Sequence, residues 1–195
     1  FSEAAGIGTP LWTTADGGRI VMTGGVLHNY GRISALAKGF NGNGGEVSIT
    51  MLEAVKVGPD ASAFADARGK AGPLAEQVAG SVTLQSAAIE VDGLIRADSF
   101  ARAGTGGTVT LSASKLDVGG RIAADARGKR RLLRQPHGGT ISLTGWGAAS
   151  VVGRVTAIAK HYKNREDLKG TIEVICSECE LSSGRFNPAA TVSAP

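Results

Sequence analysis

The run Gly106-Gly-Thr-Val-Thr-Leu-Ser-Ala-Ser-Lys-Leu-Asp-Val-Gly-Gly-Arg-Ile-Ala-Ala124 decides how this chain is read. A glycine pair opens it, polar and apolar residues then alternate, a second glycine pair interrupts, and a short apolar stretch ends on alanine. Val109 and Leu111 are two apart, as are Leu116 and Val118, which is the period of a half-buried strand. The opening recurs as Gly18-Arg-Ile-Val-Met22, Gly45-Glu-Val-Ser-Ile49, Gly80-Ser-Val-Thr-Leu84, Gly139-Thr-Ile-Ser-Leu143 and Gly170-Thr-Ile-Glu-Val174. Subtracting successive starts (18, 45, 80, 107, 139, 170) gives spacings of 27, 35, 27, 32 and 31 residues. Periods of this size mark a repeat architecture.

The second half of the unit also recurs, as apolar-x-apolar-x-Gly-x-apolar-x-Ala. Ile89 to Ala97 and Leu116 to Ala124 are its best copies. Tyr30 to Ala35, Val55 to Ala63 and Val151 to Ala157 are weaker ones, and Leu181 to Phe186 breaks off early. Each unit therefore holds two or three short strands bent at glycines, and one unit cannot bury its apolar face alone. Stacking one unit per turn puts like residues in columns about 4.8 Å apart. Ile20, Val47, Val82, Val109, Ile141 and Ile172 form one column; Met22, Ile49, Leu84, Leu111, Leu143 and Val174 form the next. The fold class is all-β: a right-handed parallel β-helix, or β-solenoid, of about six coils. An antiparallel sandwich also uses short strands and glycine turns, but rarely repeats the same residues at the same offsets. Residues 17–186 read as one solenoid domain, 1–16 as an amino-terminal cap or extension containing Trp12, and 187–195 as a tail.

Composition agrees. Glycine supplies 29 of 195 residues against 6 prolines, without a glycine every third position, which excludes collagen. The glycines suit tight turns, because glycine accepts positive φ, and corners where a Cβ would clash. Aromatic residues are 5% of the chain, so the core is aliphatic and narrow, with Met22 and Met51 filling gaps. No apolar run approaches the roughly 20 residues of a membrane-spanning helix, and membrane insertion is not expected.

The units differ most after the alanine of the second pattern, so these segments should leave one edge of the coil. Asp66-Ala-Arg-Gly-Lys70 recurs as Asp125-Ala-Arg-Gly-Lys129, placing both at one point of the turn. Residues 73–78 and 166–169 are each expected to add a helical turn. Charge concentrates in the same segments: residues 121–170 carry 11 Lys and Arg against 3 acids, or +8, leaving 4 − 8 = −4 for the rest. Lys129, Arg130, Arg131 and Arg134 fall in one loop, and Lys160, Lys163, Arg165 and Lys169 in the next. This is either a solvated rim or a polyanion site for an acidic polysaccharide, lipopolysaccharide, a host or cell-surface glycan, or nucleic acid. Nucleic acid ranks lowest, since Tyr162 is the one aromatic among these cations. Trp146, between Gly145 and Gly147, reads as a sugar-stacking platform or a packed corner residue.

No phosphate-binding glycine loop, no metal-ligand set and no nucleophile-base arrangement emerges, so no catalytic, metal or cofactor residue is assigned. Acid pairs of the glycosidase type would have to converge from neighbouring coils, as Asp92 with Asp117 or Asp98 with Asp125. His137, at a loop end, suits a turn or surface role. Cys176 and Cys179 are read as a small disulfide loop, half a metal site or reduced thiols.

Residues 106–124 resemble the haemagglutinin-type repeats of filamentous-haemagglutinin-like exoproteins of two-partner secretion systems, and similar spacing covers residues 17–186. The resemblance implies an exported β-helix at the bacterial surface or in the medium, acting in adhesion or as the shaft of a fibre. It also makes the cysteine pair suggestive, since some members keep a C-terminal disulfide. The single Asn-Pro, Asn187-Pro188, stands far from where that family's secretion domain carries such motifs, so the chain reads as an interior or distal piece, or as a relative that reached the same architecture separately. The function expected is a non-enzymatic extracellular structural or adhesive β-helix. The alternatives are a carbohydrate-active β-helix enzyme and a polyanion-binding module, and open coil ends offer self-association end to end.

Overall fold

In a computed structural model of the chain, the described residues are 2–6, 16–37, 42–68, 77–100, 104–126, 136–160, 165, 168–182 and 185–194. Alternating apolar residues build two parallel seven-stranded sheets. The short sheet stacks β1 (Ser2–Gly6), β3 (Arg32–Ala37), β5 (Ser62–Phe64), β8 (Leu94–Arg96), β11 (Arg121–Ala123), β13 (Arg154–Thr156) and β15 (Phe186–Asn187). The long sheet stacks β2 (Arg19–Asn29), β4 (Glu46–Val57), β7 (Ser81–Val91), β10 (Thr108–Val118), β12 (Thr140–Val151), β14 (Thr171–Leu181) and the short β16 (Thr191–Ser193). A third, two-stranded ribbon pairs β6 (Gln77–Val78) with β9 (Gly104–Thr105). The chain alternates between the two large sheets, winding a β-solenoid of about five turns.

Both columns read from the sequence are present. Ile20 pairs with Val47, Val47 with Val82, Val82 with Val109, Val109 with Ile141 and Ile141 with Ile172. The Met22 to Val174 column runs beside it in the same register. Val47, Val82, Leu84, Val109, Leu111, Ile141 and Leu143 are all sealed from solvent. The opening run and the first half of the second pattern are not separate strands, however. They fuse into one strand of 11 or 12 residues, interrupted by irregularities between Gly24 and Val26, Thr50 and Ala54, Ala113 and Lys115, and Gly145 and Ala148. A bulge absorbs the gap that separated the two motifs in the sequence.

One alignment shifts for a local reason. Ala63 pairs with Ile95, so Ala65 and not Ala63 takes the place of Ala97. The turn at Pro59 and Asp60 adds two residues to that corner, four between Val57 and Ser62 against two between Val91 and Leu94. Of the expected helical turn at 73–78, residues 77 and 78 form β6 instead; residues 73–76 lie outside the described residues, as do 166 and 167.

The corner glycines serve close approach and not positive φ. An added Cβ at Gly80, Gly107, Gly139 or Gly170 would fall well inside 3.0 Å of the carbonyl oxygen of Gly45, Gly80, Gly107 or Gly139, one coil away, and none of these four has a left-handed φ. Those same oxygens accept hydrogen bonds from the N–H groups of Ser81, Thr108, Thr140 and Thr171 at 2.9–3.1 Å. Gly80, Gly107, Gly139 and Gly170 in turn donate to Ala65, Ala97, Ala124 and Ala157 at 2.7–2.8 Å. This contact pinches the base of each variable segment, and the alanines at it, Ala65, Ala97, Ala124 and Ala157, are fully buried.

Candidate functional site

The described bases of the variable segments stack along one corner: Ala37 bridges Ala67, then Ser99, Ala126 and Ala159. One residue earlier the column reads Leu36, Asp66, Asp98, Asp125, Ile158, and all five are buried. Period-two logic turns this column away from the coil interior, and Arg68, Arg96, Arg121 and Lys160 lie against its carboxylates.

Its three carboxylates run one above another through the backbone. Asp98 N–H donates to Asp66 Oδ1 at 3.1 Å, Asp125 N–H to Asp98 Oδ1 at 2.8 Å, and Ile158 N–H to Asp125 Oδ1 at 3.1 Å. Cations flank them. Arg96 holds Asp66 Oδ2 through Nη2 at 2.6 Å and Nε at 3.1 Å, and Arg68 reaches the same oxygen at 2.9 Å. Asp125 Oδ2 accepts from Lys160 at 3.1 Å, Thr156 Oγ1 at 3.1 Å and Arg121 at 3.4 Å. The arginines also interleave with rings: Arg96 lies 4.4 Å from the Phe64 centroid and 5.3 Å from that of Phe100, while Arg32 covers Phe64 and Arg68 covers Phe100, both at 5.0 Å. Such stacking adds cation–π attraction to the ion pairs.

Burial pushes the Asp66 carboxyl up to about 7, against the pull of the Asp98 N–H and of Arg68. Burial also raises Asp125, helped by the neighbouring Asp98 charge and opposed by Lys160. A carboxyl raised above its unfolded value contributes stability that is complete below the unfolded pKa, near 3.8 for Asp66, and lost as pH climbs through about 7. Acting alone, Asp66 would make unfolding harder by roughly 4 kcal/mol on going from pH 8 to pH 4. We expect denaturant midpoints to rise over that descent and Asp66→Asn to flatten the rise; a midpoint that falls steadily from pH 8 to 5 would contradict the burial argument.

Of the two acid pairs named from sequence, Asp98 and Asp125 do stack, but both are fully buried and bonded to backbone. Asp92 and Asp117 occupy different columns: Asp117 pairs with Glu90, and Asp92 stands one residue beyond Val91. Of the basic candidates, Lys160 is tied to Asp125, and Arg165 and Lys169 also make interactions. Lys129, Arg130, Arg131, Arg134 and Lys163 lie outside the described residues, as does Trp12. Trp146 projects from the outer face of the long sheet at the β12 bulge, more than half exposed, while its carbonyl accepts from Ser177 Oγ at 2.9 Å. That placement excludes the packed-corner reading. Cys176 and Cys179 form a disulfide with Cα atoms 5.7 Å apart, linking the buried Cys176 to the exposed Cys179 on the last long strand. Among the described residues no group of three or more His, Cys, Asp or Glu could hold a metal.

Two surface features escaped the sequence reading. A groove of about 470 Å³ follows the glycine corner, floored by Gly17, Gly44, Gly80 and Gly106 and edged by Arg19, Glu46 and Thr108. Beside it, the outward columns of the long sheet carry hydroxyls coil after coil: Ser81, Thr108, Thr140 and Thr171 in one, Ser48, Thr83, Thr110 and Ser142 in another. The alternating Thr and Ser were visible in the sequence as the polar half of the period-two pattern.

Comparison with protein-family models, with curated proteins and with solved structures returned no match.

Proposed function

We propose that this chain is a non-enzymatic extracellular β-solenoid, a structural or adhesive segment of a bacterial surface fibre, matrix or secreted adhesin. The observation that carries the reading is the fate of the stacked carboxylates. The acids that the repeat stacks at the corner, Asp66, Asp98 and Asp125, are buried and committed to backbone N–H groups, and Asp66 and Asp125 to cations as well, so these three stiffen the coil and are not open to substrate. Glycosidase chemistry needs two carboxyls open to a sugar, 5 to 10 Å apart on the general pattern. The Cys176–Cys179 disulfide suits an oxidising compartment and supports export.

Recognition on this reading belongs to what the coil turns outward among the described residues, Trp146 and the hydroxyl columns of the long sheet, together with the basic charge that the sequence concentrates around Arg130 and Arg131. The ligand class is an acidic polysaccharide or a cell-surface glycan. Incubation with a panel of such polysaccharides should release neither reducing ends nor unsaturated sugars, while the protein is retained on the immobilised glycan. Trp146→Ala should weaken that retention several-fold, the loss of one stacking contact of about 1 kcal/mol. Product release by the purified chain would overturn the proposal in favour of a carbohydrate-active enzyme.

A further inference from the structure

Past its bulge, the outer face of the long sheet changes character at β12. Two outward columns cross it there: one runs Lys115, Ala148, Glu178 and the other Asp117, Ser150, Glu180. Long side chains on β10 and β14 thus flank short ones on β12, and a trough of about 300 Å³ lies along that strand between them. Its walls rise from backbones two coil spacings apart, about 9.6 Å, which leaves room for a single chain. Trp146 stands at the head of the trough, two residues before Ala148 and more than half exposed. Gly147 comes between them and contributes no side chain, so nothing on β12 separates the indole from the trough.

We propose that Trp146 and this trough form one site for a linear glycan that carries free amino groups, a site that rests on the glycan-binding reading and narrows its ligand. The glycan lies along β12. Trp146 supplies the flat apolar surface on which a sugar ring stacks, and an indole face also attracts an ammonium. One ring covers Trp146 and the next lies over Ala148 and Ser150, where the Ser150 hydroxyl can donate to and accept from ring hydroxyls.

Charge complementarity decides which glycan. The walls carry Asp117, Glu178 and Glu180 against Lys115, three carboxylates to one ammonium and a net of −2. All four side chains are exposed. Among the described residues none of the four joins an ion pair or a side-chain hydrogen bond, whereas Glu90, next in the Asp117 column, is held by Lys56 at 2.5 Å. The trough therefore sets uncompensated negative charge beside an aromatic platform. An amino sugar answers both, with an ammonium for the wall carboxylates and a C–H face for the indole. A basic peptide offers the ammonium without the ring face, and an acidic polysaccharide meets like charge here. Exposed ion pairs are individually weak, so affinity grows with the number of amino groups engaged and falls with salt.

Calorimetric titration of the 195-residue chain with a glucosamine hexamer at low salt should show binding. The N-acetylated hexamer, the same chain without its charge, should bind about tenfold more weakly. Trp146→Ala should weaken binding of the glucosamine hexamer several-fold, and Asp117→Asn combined with Glu178→Gln about tenfold. Lys115→Gln should strengthen it, since a like charge leaves the wall. Glu53→Gln, which removes an exposed carboxylate of the long sheet outside the trough, should change nothing. Equal affinity for the two hexamers overturns the inference and leaves the glycan reading standing. Binding of neither hexamer also overturns it, and the glycan reading falls with it only if immobilised acidic and cell-surface glycans fail to retain the protein as well. Oligolysine that binds as tightly as the glucosamine hexamer, with both indifferent to Trp146→Ala, identifies a plain cation-binding surface and overturns the inference too.

Discussion

Gly107→Ala should destabilise the solenoid by about 3 kcal/mol or more, while Gly31→Ala should change it by less than about 1 kcal/mol in either direction. The difference lies in what the new methyl meets. At Gly107 it would press on the carbonyl oxygen of Gly80 and on the Ala79 carbonyl group, all backbone, while Gly31 has nothing within 4 Å. The Gly80 oxygen cannot retreat cheaply, because it holds the Thr108 N–H at 3.1 Å and belongs to a chain of identical contacts running from Gly18 to Gly170. Widening one step breaks the pinch between Gly107 N–H and the Ala97 oxygen, and with it the base of that corner. Neither glycine has a left-handed φ, so backbone strain is equal at both sites and cancels from the comparison. Because each coil touches only its neighbours, damage at Gly107 separates the stack into two halves. Urea denaturation followed by circular dichroism should show a lowered midpoint or two transitions for Gly107→Ala and a single near-native transition for Gly31→Ala. Equal losses at both sites would mean that conformational entropy, not crowding between coils, makes these positions glycine.

The columns Ile20 to Ile172 and Met22 to Val174 were legible because a solenoid repeats its inner residues at fixed offsets, and the structure pairs them in that register. The corner at Pro59 and Asp60 was not, since a two-residue insertion leaves the alternation on each side intact and only moves the alanine. The carboxylate column was hidden by the same rule that revealed the core. Period two sends Asp66, Asp98 and Asp125 outward, and outward normally means solvated. Burial there depends on the arginines, Lys160 and the rings of Phe64 and Phe100 that gather round the corner from neighbouring coils, which no local pattern encodes. The verbatim repeat of Asp-Ala-Arg-Gly-Lys at 66 and 125 was the available signal: its Asp and Ala occupy successive columns two coils apart. It was read as a mark of loop position, when the repeated Asp itself was the structural element. Trp146 was ambiguous because flanking glycines fit a corner and a bulge equally well, and only pairing with β14 settles which.

Arg96→Met should cost about 3 kcal/mol at pH 8 and distinctly less at pH 5. The guanidinium holds Asp66 through two nitrogens, approaches Asp98 Oδ2 at 3.9 Å, and sits between the rings of Phe64 and Phe100. Methionine keeps most of the apolar stem against those rings, so the loss isolates charge more than volume. Arg68 remains beside Asp66, yet one cation then faces a carboxylate that burial already drives toward the neutral form. The direction follows from linkage. Removing a neighbouring positive charge raises the folded pKa of Asp66 above about 7, and the unfolded value stays near 3.8. The neutral form, favoured in the fold, is complete at low pH and is lost as pH rises through the new, higher pKa. The penalty is therefore greatest above that value and shrinks as acid protonates Asp66. Asp66→Asn in the same chain should recover part of the loss at pH 8, because the amide oxygen still accepts from the Asp98 N–H and the buried charge at position 66 is gone. A double-mutant cycle at pH 8 and pH 5 measures this directly. A coupling energy that is the same at both pH values would show that Arg96 acts by packing on Phe64 and Phe100 alone, and that the buried carboxylate column owes it nothing.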